Sequence, residues 1–215
     1  MWCGGGIGMR TILKEKQIDF LMHFTRIENL RNILKSGLCP REDLDEDTCI
    51  FNDEYRYDRC ENAVCTSIEF PNYKMFYTLR CKNPGTEWVV LAISAQVLLD
   101  FPCAFCETNA GSETMYNTPI QERMGKKAFL KLFKENSCGK CRKDLNIPDY
   151  YPTNPQAEVL VFSKIPVKYI KYAIFNSEDV LEKYRRYLPT NVEGFVDTDV
   201  FYGRRDYQKW QGTIN

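Results

Sequence analysis

The chain has 215 residues, with 29 basic and 29 acidic side chains, a size that suits one folded domain over residues 1–215. An apolar fraction of 44% excludes a disordered chain, and zero net charge excludes nucleic-acid binding by bulk charge, so any such binding needs a local patch. No run of about 18 apolar residues suggests a membrane span, and residues 1–20 lack the apolar core of a signal peptide, so the expected location is the cytoplasm.

Residues 18–24 alternate, with Ile18, Phe20, Met22 and Phe24 on one face and Asp19, Leu21 and His23 on the other. This predicts a strand. The period then changes. Thr25 and Glu28 have the spacing of a capping box, Ile27, Leu30 and Leu34 form an apolar stripe, and Gly37 marks a helix end. His23, the only histidine, therefore falls at a strand end just before a helix N-terminus, a place that suits an anion.

Residues 41–62 are polar and irregular and read as a loop over a site. A short strand follows over 63–68. "PNYKMFYTLR" predicts a helix with Met75, Phe76 and Leu79 apolar, and "EWVVLAIS" a buried strand by its β-branched run. Residues 121–135 read as a helix with Met124, Phe129, Leu132 and Phe133 inward. "AEVLVFS" and "KYIKYAIF" read as strands, and Ser177 can cap a helix carrying Val180, Leu181, Tyr184 and Leu188. Helices and strands mix without regular βαβ alternation, so the expected class is α+β with antiparallel sheets.

Ten cysteines in a reducing compartment favour metal over disulfides where the spacing is right. "CAFC" supplies Cys103 and Cys106, and "CGKC" supplies Cys138 and Cys141. Two such knuckles are the ligand set of a closed, structural four-cysteine zinc site within residues 103–141. The competing reading is loop cysteines that pair by chance. Cys3, Cys39, Cys49, Cys60, Cys65 and Cys81 lack the spacing and read as ordinary buried residues. "GGGIG" follows no strand, and there is no Walker motif, HExxH or nucleophile elbow. Glu158 opens an otherwise apolar strand, with Gln156 two residues earlier on the same face. A charge there is used, paired, or solvated at a strand end.

Three stretches in order, "LMHFTRIENLRNILKSGL", "CTSIEFPNYKMFY" and "NPQAEVLVFSKIP", resemble the DarT-type ADP-ribosyltransferases, the toxins of DarT–DarG systems, over roughly residues 18–176. The resemblance implies the ADP-ribosyltransferase fold: two small antiparallel sheets splayed around an NAD cleft, with helices outside. It implies transfer of ADP-ribose from NAD+ to a base in single-stranded DNA, and a macrodomain antitoxin of the DarG type as partner. By motif match Glu158 is the family's glutamate. An arginine of "EYRYDRC" accompanies it: Arg56 is preferred, with Arg59 the alternative. His23 and Thr25 match the strand-end motif that holds NAD, and Ser67 matches the serine of the second strand. Phe24, Leu38 and Tyr73 could frame the rings of the cofactor, or pack in the core.

On the substrate side, Gln156 would orient the acceptor, Tyr150 and Tyr151 would stack a base, and Arg142 and Lys143 would meet phosphates. The tail "YGRRDYQKW" adds Arg204, Arg205, Lys209 and Trp210, basic and aromatic residues that suit a single strand. The knuckles and "SIEFPNYKMF" resemble the guanine-modifying branch more than the thymine-modifying one. Two alternatives stand beside this reading: the same chemistry on RNA or protein, and a non-catalytic zinc-containing nucleic-acid-binding module.

Overall fold

The structure is a computed structural model describing residues 7–44, 49–51 and 59–211. In chain order the helices and strands are α1 (Ile7–Lys16), β1 (Phe20–Arg26), α2 (Leu30–Ser36), β2 (Val64–Ile68), α3 (Tyr73–Lys82), β3 (Trp88–Ser94), α4 (Val97–Asp100), β4 (Cys103–Cys106), α5 (Glu113–Tyr116), α6 (Gly125–Lys131), β5 (Asn136–Ser137), β6 (Lys140–Cys141), α7 (Arg142–Leu145), β7 (Glu158–Val161), β8 (Ile170–Phe175), α8 (Glu178–Arg185) and β9 (Glu193–Val196). No described helix is long and apolar enough to cross a membrane.

Seven strands follow the order β4-β7-β2-β1-β3-β8-β9, and β5 with β6 forms a separate hairpin. The class is α+β, as expected. Pairing in the large sheet is antiparallel except between β8 and β9, where the connection through α8 brings the chain back in the same direction. The apolar run of β3 is explained by its place between β1 and β8, with a core on each face. Trp88, Val90 and Ala92 face Phe76 and Leu79 of α3, while Val89, Leu91 and Ile93 join the larger core with Leu21, Leu30 and Phe175.

The sheet is nearly cut in two. β1 and β2 pair only at Leu21↔Ile68 and Met22↔Ser67. Beyond Met22, β1 continues beside β3 as far as Arg26↔Trp88, while Val64, Cys65 and Thr66 of β2 pair with β7 instead. The two groups of strands therefore splay from one short joint, as the expected architecture requires. His23 is the first β1 residue past the joint.

The capping box does not form. Thr25 lies inside β1 opposite Val89, and its hydroxyl accepts from Asn29 Nδ2 at 3.0 Å. A 3-10 turn over Ile27–Asn29, with Arg26 at its N-cap, intervenes before α2, so no α-helix N-terminus abuts Thr25. Sheet pairing to β3 extends the strand past the point where the apolar period changes. α2 ends at Gly37 with φ +89°, where a Cβ would collide with the Ile165 carbonyl oxygen; Leu38 then pairs with Ile165.

The tail is a latch. Arg204 is buried, ion-paired to Asp206 at 2.6 Å, and donates to the Pro152 and Thr153 carbonyls at 2.7 and 3.2 Å. Trp210 is buried too, with Nε1 donating to Asp206 at 2.8 Å, and Lys209 donates to the Asp144 carbonyl. Of the four tail residues expected at a single strand, Arg205 alone is exposed without a described bond. Replacing Arg204 by Met leaves a buried Asp206 without its cation. The expected loss of stability is about 3–5 kcal/mol in denaturant unfolding; a loss below about 1 kcal/mol would show the latch to be dispensable.

Candidate active site

The splay opens a cleft of about 780 Å³ along β1, α2, the loop after it, β2 and the start of β7. Six expected residues line it: Glu158, His23, Phe24, Thr25, Leu38 and Ser67. Each is delivered by an element edge that faces the gap.

Glu158 begins β7 and is only 6% exposed. Its Oε1 accepts from Asn72 Nδ2 at 3.2 Å, and Oε2 accepts from the Ala110 N–H at 2.7 Å. Both donors stabilise the charged form of the carboxylate. The donors are themselves fixed. Asn72 is fully buried, caps α3 by accepting from the Met75 N–H at 3.3 Å, and donates its own N–H to Ser67 Oγ at 3.2 Å. Ser67 therefore acts on Glu158 through Asn72. Ala110 sits in a tight turn in which Asn109 Oδ1 accepts from the Gly111 N–H at 2.9 Å. Asn72 and Ala110 were missed in the sequence. Asn72 was findable, because an asparagine before an apolar-periodic run is an N-cap signature; nothing in the sequence pointed to the Ala110 turn.

His23 stands where β1 and β2 part. Its Nδ1 lies 2.8 Å from the Cys65 carbonyl oxygen. A carbonyl can only accept, so Nδ1 carries a proton, and of the two neutral tautomers this bond selects the one whose acceptor is Nε2. Phe24 stacks on Phe76, with ring centroids 4.5 Å apart at 12°, so it serves the core while lining the cleft. Leu38 is also core as well as wall. Lys35, Arg41 and Lys164 add cations to the lining that the sequence did not single out.

Other expected residues lie elsewhere. Tyr73 is buried in α3 away from the cleft lining, with a hydroxyl that has no described hydrogen-bond partner; burial raises its pKa well above the usual phenol value. Gln156 precedes the strand in a turn, is buried, and does not line the cleft, so the same-face expectation fails: the strand begins only at Glu158. The Arg142 guanidinium is engaged within the protein. Its Nη1 donates to the Tyr151 carbonyl at 2.7 Å and to Thr153 Oγ1 at 3.2 Å, and Nη2 to the Pro148 carbonyl at 2.6 Å. These bonds hold the turn that leads to Glu158. Tyr150 and Tyr151 pack edge to face at 4.7 Å, and Tyr151 meets Phe70 at 5.9 Å; neither tyrosine lines the cleft. Burial pushes the Tyr151 phenol up to about 12. Arg56 lies outside the described residues. Arg59 is exposed, with its guanidinium 4.4 Å from the centroid of the Tyr116 ring, and does not line the cleft.

The four-cysteine zinc site does not fit this arrangement. "CAFC" is strand β4, not a knuckle, and residues three apart on a strand point to opposite faces. Cys103 joins one core and Cys106 another. Burial pushes both thiols up to about 12. "CGKC" is the β5–β6 hairpin, with Cys138 (φ +47°) and Gly139 (φ +72°) as its two-residue turn. Among the described residues no cluster of three or more metal-ligating side chains is present.

A family model described as DarT, ssDNA thymidine ADP-ribosyltransferase, matches residues 22–202. No curated protein matches the chain. The structure is similar to that of Thermus sp. 2.9 DarT in complex with NAD+, at 16% identity and a TM-score of 0.60, covering 86% of this chain and 98% of that one. It is similar to the same protein in complex with ADP-ribosylated ssDNA, at 16% identity and a TM-score of 0.60, covering 86% and 97%. It also resembles Thermosipho africanus DarTG in complex with ADP-ribose, at 14% identity and a TM-score of 0.58, covering 85% of this chain and 51% of that one. At such identities the likeness establishes the fold. For the cysteines, metal analysis of the purified protein is expected to find no stoichiometric zinc, and Cys103→Ser no change in metal content. One zinc per chain, lost in that variant, would overturn the assignment.

Proposed function

This chain belongs to the DarT family, and from that premise we propose that it transfers ADP-ribose from NAD+ to a base of single-stranded DNA. The observation that carries the reading is Glu158, a buried carboxylate held by two N–H donors at the end of a cleft large enough for a dinucleotide. Breaking the nicotinamide glycosidic bond sends the bonding electrons to nicotinamide and leaves an oxocarbenium-like ribose. The Glu158 carboxylate stabilises that charge electrostatically. A base nitrogen then bonds to the ribose carbon, and its proton passes to the same carboxylate or to water. No histidine base is required. His23, with its proton fixed on Nδ1, offers Nε2 to a ribose hydroxyl, and Thr25, Phe24 and Leu38 complete the wall beside the cofactor. Lys35, Arg41 and Lys164 suit its phosphates.

The family description names thymidine. The cysteine pairs and "SIEFPNYKMF" resemble the guanine-modifying branch instead, so guanine and thymine are both acceptors to test. We read the protein as one catalytic domain, cytoplasmic, and the toxin partner of a macrodomain antitoxin.

The test is mass spectrometry of DNA oligonucleotides of defined base, incubated with NAD+ and the protein. The expected product is heavier by one ADP-ribose, and Glu158→Ala lowers its rate by at least about 10²-fold. A gain on RNA or protein alone moves the acceptor, and no NAD+ consumption on any acceptor sinks the reading. His23→Ala is expected to raise the KM for NAD+ roughly 2- to 10-fold, the worth of one hydrogen bond, with kcat little changed. A fall in kcat at unchanged KM would instead put His23 in the chemical step.

A further inference from the structure

Directly opposite Glu158 in the β4–β7 ladder is Cys106. Facing residues of an antiparallel pair project from the same face, about 5 Å apart. The Cys106 thiol is fully buried, and Arg123 Nη1 lies 3.5 Å from its sulfur. Arg123 itself is 7% exposed, its Nε has no hydrogen-bond partner among the described residues, and no described carboxylate lies within ion-pair distance. The segment carrying it is pinned to β4 by the Ala104↔Met124 bridge. A buried guanidinium is costly unless an opposite charge is near. Cys106 cannot supply that charge, because burial pushes its thiol up to about 12. Glu158 and Arg123 both act on this thiol electrostatically, in opposite senses, and both neighbour it, one across the ladder and one at its sulfur.

We propose that Arg123 is a buried countercharge of Glu158, a positioning residue that favours the ionised carboxylate across the Cys106 thiol. The proposal rests on the reading of Glu158 as the catalytic carboxylate. Among the described titratable groups of this neighbourhood, Cys60 acts on the same thiol, Cys65 packs against the same cluster, His23 meets the Cys65 carbonyl, and the cations Lys35, Arg41 and Lys164 line the cleft with Glu158. Asn72 on α3 and the Ala110 N–H add uncharged donors. The sign follows. A nearby cation favours the charged carboxylate, so removing it moves the titration of Glu158 to higher pH, and activity that needs the ionised form is lost earlier as pH falls.

The test is a pH titration by NMR of protein labelled with ¹³C at the glutamate carboxyls, the Glu158 signal being identified by its loss in Glu158→Gln. Arg123→Gln is expected to move the Glu158 midpoint up by about one pH unit, and the acidic limb of the kcat/KM profile with it. Arg123→Lys keeps the charge and is expected to leave both near wild type. An unmoved midpoint in a folded Arg123→Gln protein overturns the proposal. If that variant does not fold, a shift in Arg123→Lys as large as the one expected for glutamine overturns it instead. Transferase activity that survives in Glu158→Gln would sink the functional reading, while the titration still reports on Arg123 independently.

Discussion

Everything at the site follows from how briefly β1 and β2 stay together. Two residue pairs join them, and then each strand takes a different neighbour. Backbone groups freed by such a parting must find other partners or water. The Cys65 carbonyl finds the His23 ring. The space left between the strands is the cleft, and the side chains that line it belong to the residues just past the joint. A longer pairing would close the cleft and turn His23 toward a cross-strand neighbour.

The carboxylate end is built on the same logic of shared partners. Asn72 caps α3, receives support from Ser67 and holds Glu158, so the helix start and the reacting group are fixed by one fully buried side chain. Arg142 and Arg204 hold the turn before Glu158 through backbone carbonyls, from the inside of the loop and from the C-terminal tail respectively. Polar groups that a composition-based reading assigns to a nucleic acid are here consumed in positioning backbone.

Much of this was legible in the sequence because it depends on local period. The alternation over 18–24, the apolar run at 87–94 and the capped helix after Ser177 each became the expected element. Glu158 and His23 stood out as polar residues at ends of apolar strands, and both line the cleft. What was not legible depends on three-dimensional neighbours. The spacing C-x2-C fits a metal knuckle, a strand and a hairpin turn equally well, and only sheet pairing decides among them. Arg142 and Gln156 have the right chemistry for a substrate, but burial and hydrogen bonding, which no single-sequence period encodes, turn them inward. Strand β1 outran its apolar alternation because β3 offered it partners as far as Arg26.

The chain leaves the large sheet after Cys106 and re-enters it at Glu158, and those two residues face each other. Residues 107–157, with three helices and a hairpin, thus form an excursion whose ends meet at a single cross-strand pair. Lengthening such a closed segment costs only about 0.6 kcal/mol per doubling, so its outer parts can vary in length at little entropic cost. Its inner parts cannot: the Ala110 N–H donates to Glu158, Arg123 lies against Cys106, and Arg142 holds the turn that leads back into the sheet. The excursion is thus free at its surface and tied to the carboxylate where it meets the sheet.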